Sequence, residues 1–234
     1  MKGPFTPPFT IKQGGKPLFP RPAFFVVAHM VYPAKRLRFQ GMSDLSHLPL
    51  DALTLPVADR PHMPPIAGAD PGAKRKGGQL AMIHRHYLQE LSRVEAVMRR
   101  IEAGDAPPEE LMSIILSTDM RKNLHAAGTI CGHQCQVLSM HHNIEEYSMF
   151  PELEAAGNAA LVAVVAQLRR EHKVVHELLV RLEQEARALI EDPKPEHFDR
   201  AHDVFRRLAD VVRSHFGYEE TELAEAIGEY LGGI

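Results

Sequence analysis

Apolar residues recur every three to four positions from about residue 79 onward, which is the period of an amphipathic helix. The pattern predicts four long helices, over about 79–103, 119–154, 159–191 and from 195 onward, with a short helix inserted at 109–116. Pro151 is expected to bend or end the second long helix. Because short turns join the last three helices, the pattern predicts an all-α fold, an up-down-up-down four-helix bundle.

The first 78 residues lack this period. Thirteen of the 18 prolines lie there, so the sequence predicts an extended Pro-rich N-terminal arm (1–78) before the bundle domain (79–234). The arm has apolar material to lay against the bundle, namely Leu48, Leu50, Leu53 and Leu55. Residues 1–41 carry seven Lys or Arg and no acidic residue. Two interpretations stay open: a targeting arm, and an extraneous stretch before a true start at Met30 or Met42.

Composition excludes some partners. The net charge of −3 gives no reason to expect nucleic acid, and no apolar run reaches the roughly 18 residues of a membrane span. The two cysteines, Cys131 and Cys135, are too few for a structural zinc site. Sparse cysteine usage favours a reducing compartment, and we therefore expect a cytoplasmic location.

Seven potential metal ligands fall on the apolar stripes of the predicted helices. Burying an imidazole or a carboxylate is costly unless it is paired or coordinates a metal. Five imidazoles with two carboxylates suit a pair of iron or manganese ions. These candidates are His84, His141, Glu145, His172, His176, His215 and Glu219.

The seven candidates also lie at similar heights along the predicted bundle. Counted from the turns at Gly157 and Asp192, the ligands of the last three helices fall within about one helical turn of each other at 1.5 Å per residue. His84 and His141 agree in the same way. This common height favours one shared site over scattered core histidines.

Two assignments have close competitors. His142 with Glu146 repeats the four-residue spacing of His141 with Glu145, although the apolar stripe favours His141. Glu219 and Glu220 both follow His215. The pattern H-x-x-x-E-E occurs in 141–146 and again in 215–220. Glu219 is preferred because it holds the same place in this pattern as Glu145.

Parts of the chain resemble a known family. The segment from His141 to Pro151, which reads His-His-Asn-Ile-Glu-Glu-Tyr-Ser-Met-Phe-Pro, is similar to the H-H-x-x-E-[DE] motif ending in Phe-Pro of the hemerythrin-like, HHE cation-binding family. Leu168-Arg-Arg-Glu-His172 resembles the start of that family's third helix. The spacing of His172 and His176 resembles the oxygen-carrying hemerythrins.

The first helix carries the same resemblance. The run from Ile83 to Leu91 resembles the family's first-helix motif and supports His84 over His86. The likeness covers about residues 79–231.

The resemblance implies two iron ions bridged by Glu145 and Glu219 and by an oxo or hydroxo group, with manganese as the other candidate metal. It also implies an open position for a small ligand such as dioxygen, nitric oxide or peroxide. We therefore expect a diiron protein that binds or senses such a ligand, rather than an enzyme. The alternatives are an enzyme of nitric oxide or peroxide defence or iron–sulfur repair, whose arm would carry a cysteine, and a bundle that holds iron for stability or iron sensing. The sequence indicates no protein partner.

Overall fold

A computed structural model describes residues 44–105, 132–192 and 194–233. All of these residues belong to one compact unit, 37–234. The short helix predicted at 109–116, the first part of the second long helix and the two interpretations of residues 1–41 lie outside the described residues.

The described ranges are mostly helical and contain no strand. Two 3-10 turns, Leu50–Ala52 and Val57–Asp59, precede the helices. One π-helical turn, Glu145–Met149, joins α3 to α4, and another, Ile227–Leu231, extends α6. The α-helices are α1 (Ala73–Gly77), α2 (Leu80–Glu102), α3 (Gly132–Ile144), α4 (Phe150–Ala155), α5 (Ala159–Glu191) and α6 (Pro195–Ala226). Within these ranges, no helix combines the length and apolar character needed to cross a membrane.

Local signals set the helix ends. Gly157 adopts a φ of 73°, which glycine tolerates without strain, and the chain reverses there. Asn158 then caps α5, because its side-chain oxygen accepts hydrogen bonds from the backbone N–H groups of Ala160 (3.0 Å) and Leu161 (3.2 Å). Pro195 lies in the first turn of α6, where no backbone N–H is required. The observed α5 coincides with the predicted 159–191, and α2 differs from its prediction by one residue at each end.

The region around Pro151 departs from a regular helix. The helical path does not end at the proline. It passes from α3 through a π-helical turn into α4, which contains Pro151. Phe150 N–H donates to the carbonyl of Glu145, five residues back, and Pro151 falls in the first turn of α4. Single π-helical turns are frequent at functional sites. Glu145 is the first residue of this one.

The core lies mainly between α5 and α6, with α2 and α4 against them. At one end Phe150, Leu168 and Leu223 are fully buried, and at the other Phe198 and Phe205 pack together. Each such side chain stabilises the fold by about 1.5–3 kcal/mol relative to leaving it exposed. The metal candidates lie between these apolar ends.

The segment before α2 packs against the helices. Leu53 is 1% exposed and belongs to the same apolar cluster as Tyr87 on α2. The segment is not extended throughout, because it contains α1, a helix that was not predicted. A Cβ on Gly77 would lie 1.9 Å from the carbonyl oxygen of Ala224, and one on Gly228 would lie 1.8 Å from that of Ala73. The backbones of α1 and the C-terminal end of α6 are therefore in direct contact.

Candidate metal centre

Seven buried histidine and glutamate side chains converge between the helices. They form two groups, and within each group the potential ligand atoms lie within 4.8 Å of one another. One group is His84, His141, Glu145 and Glu219, and the other is His142, His172 and His215. The least buried of the seven, His141, is only 8% exposed.

Four helices and one π-helical turn supply these side chains. His84 comes from α2, His172 from α5, and His215 with Glu219 from successive turns of α6. The remaining donors come from α3 and the π-helical turn that follows it. Side chains four apart on a helix lie on one face, which is why α6 can present both an imidazole and a carboxylate to the same point.

Adjacent histidines on α3 contribute to different groups. Successive helical residues point about 100° apart, so His141 and His142 diverge while both face inward. The His142 ring stacks on His172, with ring centres 4.1 Å apart, and meets His215 edge-on at 5.4 Å. His141 instead approaches His84, with 3.0 Å between the two Nε2 atoms.

The two carboxylates lie between the groups. Glu145 places Oε1 2.9 Å from His141 Nε2 and Oε2 3.4 Å from His172 Nε2. Glu219 places Oε2 3.5 Å from His84 Nε2 and 3.7 Å from His215 Nε2. Each carboxylate therefore faces donors of both groups, as a ligand shared by two cations would.

Seven inward atoms of the centre lack hydrogen bonds. An unpaired buried polar group costs about 1–3 kcal/mol, so such a concentration within the described chain requires an explanation. Coordination to cations satisfies every one of these lone pairs at once, and the residues present therefore fit a metal centre. The orphaned atoms are Nε2 of His142, His172 and His215 and both carboxylate oxygens of Glu145 and Glu219.

Three further carboxylates hold the outer sides of the imidazoles. When the imidazole of such a pair is neutral, its Nδ1–H donates to the carboxylate and its Nε2 lone pair is directed at the centre. This arrangement fixes both the tautomer and the ring orientation that a metal ligand needs. The pairs are His84 with Glu220 (2.9 Å), His172 with Glu146 (2.8 Å) and His215 with Glu171 (3.1 Å).

Burial keeps several of the imidazoles neutral. It lowers the pKa of His84 to about 3 and that of His215 to about 4, and it holds the pKa of His142 well below its ordinary value. Burial and the neighbouring Glu145 raise the pKa of Glu219 well above its ordinary value. A cation between the two carboxylates would reverse that effect, because positive charge favours the ionised form.

Aromatic rings surround the donors. Phe216 lies flat against His84, with ring centres 3.7 Å apart and planes 1° from parallel, and Phe150 stacks on His172 at 5.5 Å. Tyr87 lies 5.6 Å from His141. This apolar shell lowers the local dielectric and limits the access of water.

Six of the seven predicted ligands lie in the centre, and one does not. His176 belongs to neither group, and burial lowers its pKa. It is one turn beyond His172 on α5, about 6 Å further along the helix. His142 completes the second group instead. The sequence reasoning treated His141 and His142 as alternatives, whereas the fold turns both inward.

The choice between the paired glutamates has a structural counterpart. Glu219 is fully buried among the donors, while Glu220 holds the outer side of His84. Glu146 plays the matching part behind His172. The repeated H-x-x-x-E-E pattern was the available signal for both outer glutamates. The exposed His86 lies outside both groups.

Buried nitrogen and oxygen donors converging from several helices define a non-haem metal-binding helical domain. The hemerythrin HHE cation binding domain model matches residues 78–227. The chain belongs to this family, as the sequence resemblance predicted. Comparison with curated proteins and with solved structures gave no match.

Proposed function

We propose that this protein binds two iron ions and that the loaded centre binds or senses dioxygen or a related small ligand. The observation that carries the proposal is the pair of donor groups with Glu145 and Glu219 between them, where three imidazole nitrogens and all four carboxylate oxygens have no hydrogen-bond partner. We also propose that the long helices form an up-down-up-down four-helix bundle, because donors converge from the four helices α2, α3, α5 and α6.

The donor set suggests how two ions would be shared. One would be held by His84 and His141, and the other by the second group of three histidines. Glu145 and Glu219 would serve both. Nitrogen and oxygen donors suit iron, and manganese is the alternative ion.

Iron bound here would supply a redox-active cation with a coordination position for a small ligand. The outer carboxylates Glu220, Glu146 and Glu171 would hold protons at Nδ1 of His84, His172 and His215, and their inner nitrogens would then be free to bind. Phe150 and Phe216 exclude water from the donors. Oxygen-activating bundle proteins of the ferritin-like type use more carboxylates. The five imidazoles therefore favour binding or sensing over catalysis.

The proposed location is cytoplasmic, because sparse cysteine usage favours a reducing compartment.

The decisive experiment combines metal analysis with visible spectroscopy. We expect about two irons per chain in the loaded protein, and a charge-transfer band that appears when the reduced protein meets air and fades on removal of oxygen. Direct conversion to a stable oxidised spectrum would support a sensor or an enzyme instead. Failure to respond to dioxygen, azide and nitric oxide would leave iron with a structural role and refute ligand binding.

The ligand assignment is tested with a matched pair of variants. His172→Ala should lose iron, because its Nε2 is one of the orphaned inward atoms, whereas His86→Ala on the exposed face of α2 should keep it. Equal iron content in the two variants would contradict the site as described.

A further inference from the structure

An arginine from outside the helical domain reaches the outer layer of the metal centre. Residues 60–70, here called the strap, precede α1 and begin with Arg60. Its guanidinium donates two hydrogen bonds to the carboxylate of Glu171, from Nε at 2.8 Å and from Nη2 at 2.9 Å. Both residues are buried, with 9% of Arg60 and 1% of Glu171 exposed. Such a buried bidentate pair is strong and directional.

The same carboxylate orients a metal-ligand candidate. Glu171 Oε2 accepts from His215 Nδ1 at 3.1 Å, and Oε1 accepts from Gln167 at 2.9 Å. The ring of His215 is fully buried, and its Nε2 faces the centre. Arg60, Glu171 and His215 therefore form a continuous chain from the strap to the donor atoms.

The strap is also bound along α6, the helix that carries His215 and Glu219. Three glutamates of α6 and its π-helical extension recur at steps of three and four residues, and each accepts a backbone N–H of the strap. These bonds join Met63 to Glu222 (2.6 Å), Ile66 to Glu225 (2.9 Å) and Asp70 to Glu229 (2.7 Å). Tyr218 adds a bond from its hydroxyl to the carbonyl of Pro61 (2.6 Å).

A second outer carboxylate shows why Arg60 is distinctive. Glu146, behind His172, is paired at 3.0 Å with Arg169 of α5, within the residues that the family model matches. The arginine behind His215 comes instead from residue 60, before the matched range of 78–227. The two outer carboxylates therefore differ in their cationic partner. Glu146 is paired with an arginine of the helical domain, and Glu171 with an arginine of the strap.

We propose that Arg60 is a positioning residue for His215, and that docking of the strap and binding of metal are thereby coupled. Removing Arg60 would leave the buried carboxylate of Glu171 without its cation, so the acceptor that orients His215 would no longer be held. Because such coupling is reciprocal, metal binding would in turn hold the strap on α6. The inference rests on the proposed metal-binding function.

The test uses the full chain loaded with Co²⁺, whose visible absorption reports the ligand field and the affinity. Arg60→Met should weaken Co²⁺ binding about 10-fold or more, the usual size of such an effect, and alter the band. Arg60→Lys keeps the charge without the fork and should recover part of both. The control is Arg181→Met, because Arg181 binds the carbonyl of Leu48 (2.6 Å) and none of the donors. The affinity of the Arg181→Met protein for Co²⁺ should equal that of the wild type.

Hydrogen exchange provides a readout that needs no variant. Metal loading of the wild type should slow exchange of the Met63, Ile66 and Asp70 amides more than that of Leu48, whose N–H bonds only to Leu45. Equal slowing at both places, or an Arg60→Met protein with wild-type affinity and spectrum, would overturn the proposal. If the wild type itself bound no metal, the proposed function would fail before this inference was reached.

Discussion

Replacing Glu219 by methionine should change stability in opposite directions with and without metal. In the metal-free protein this side chain is fully buried, neither oxygen has a hydrogen-bond partner, and its raised pKa favours the neutral form. Leaving such a group unpaired costs about 1–3 kcal/mol. Methionine has similar length and no polar oxygen, so the substitution removes that cost. With about 2–4 °C per kcal/mol at this chain length, Tm of the metal-free protein should rise by about 2–12 °C.

With metal the sign reverses, because the variant loses a ligand that faces both groups. At 1,000 times its Kd, a bound metal ion stabilises the folded state by about 4.1 kcal/mol, and the variant would lose most of that gain. This loss exceeds the gain of about 1–3 kcal/mol from removing the unpaired carboxyl, so the loaded variant should melt below the loaded wild type. Thermal unfolding by circular dichroism, with chelator and with Fe²⁺ under anaerobic conditions, measures both states.

The matched control is Glu222→Met, one turn further along α6. Glu222 is also buried, but its oxygens bind His62 (2.9 Å) and the N–H of Met63 (2.6 Å). It should therefore lower Tm in both conditions. A metal-free Glu219→Met protein that melts below the wild type would refute the reasoning.

Three further outcomes are expected. Because burial lowers the pKa of His84 to about 3 and of His215 to about 4 from 6.5, the unfolded chain takes up protons that the folded chain excludes. Metal-free stability should therefore fall as pH drops from 6.5 towards 4, and urea unfolding that is independent of pH would contradict this. His142→Ala should lose bound iron by metal analysis while His176→Ala retains it; the reverse would restore the sequence-based assignment. Asn158→Ala removes the α5 cap and should cost about 1 kcal/mol in urea unfolding, with metal content unchanged.

The helices were predictable because their signals are local. Asn158 after a glycine, and Pro195 in a first turn, mark helix ends through backbone chemistry that needs no distant partner. The π-helical turn before Pro151 was not predictable in this way. A proline indicates that regular hydrogen bonding must change nearby, but the neighbouring packing decides whether the helix ends, bends or widens by one residue.

The candidate site was largely predictable from the apolar stripes, with two instructive differences. If the apolar stripe is assumed to be one residue wide, only one of two adjacent histidines can be a ligand. The site has two groups, however, and His141 lies in one and His142 in the other. His176 has suitable spacing from His172, but spacing along one helix does not state how far a site extends along the bundle. The extent of the site along the bundle depends on how α5 packs against α3 and α6.

The arm carried the weakest signal. Leu53 was expected to provide apolar material and is buried, but nothing in the local sequence of Arg60 indicates a partner 111 residues away. Long-range ion pairs have no periodicity and no fixed spacing. They become visible only when the fold brings the two segments together.

The pairing of Arg60 with Glu171 separates two definitions of a domain. Similarity to the family begins at residue 78, and by that measure the helices that carry the metal candidates are complete without anything earlier. Charge balance gives another limit, because the positive partner of Glu171 is at residue 60. The smallest piece of this chain that contains both partners of the ion pair behind His215 is therefore longer than the piece that sequence similarity recognises.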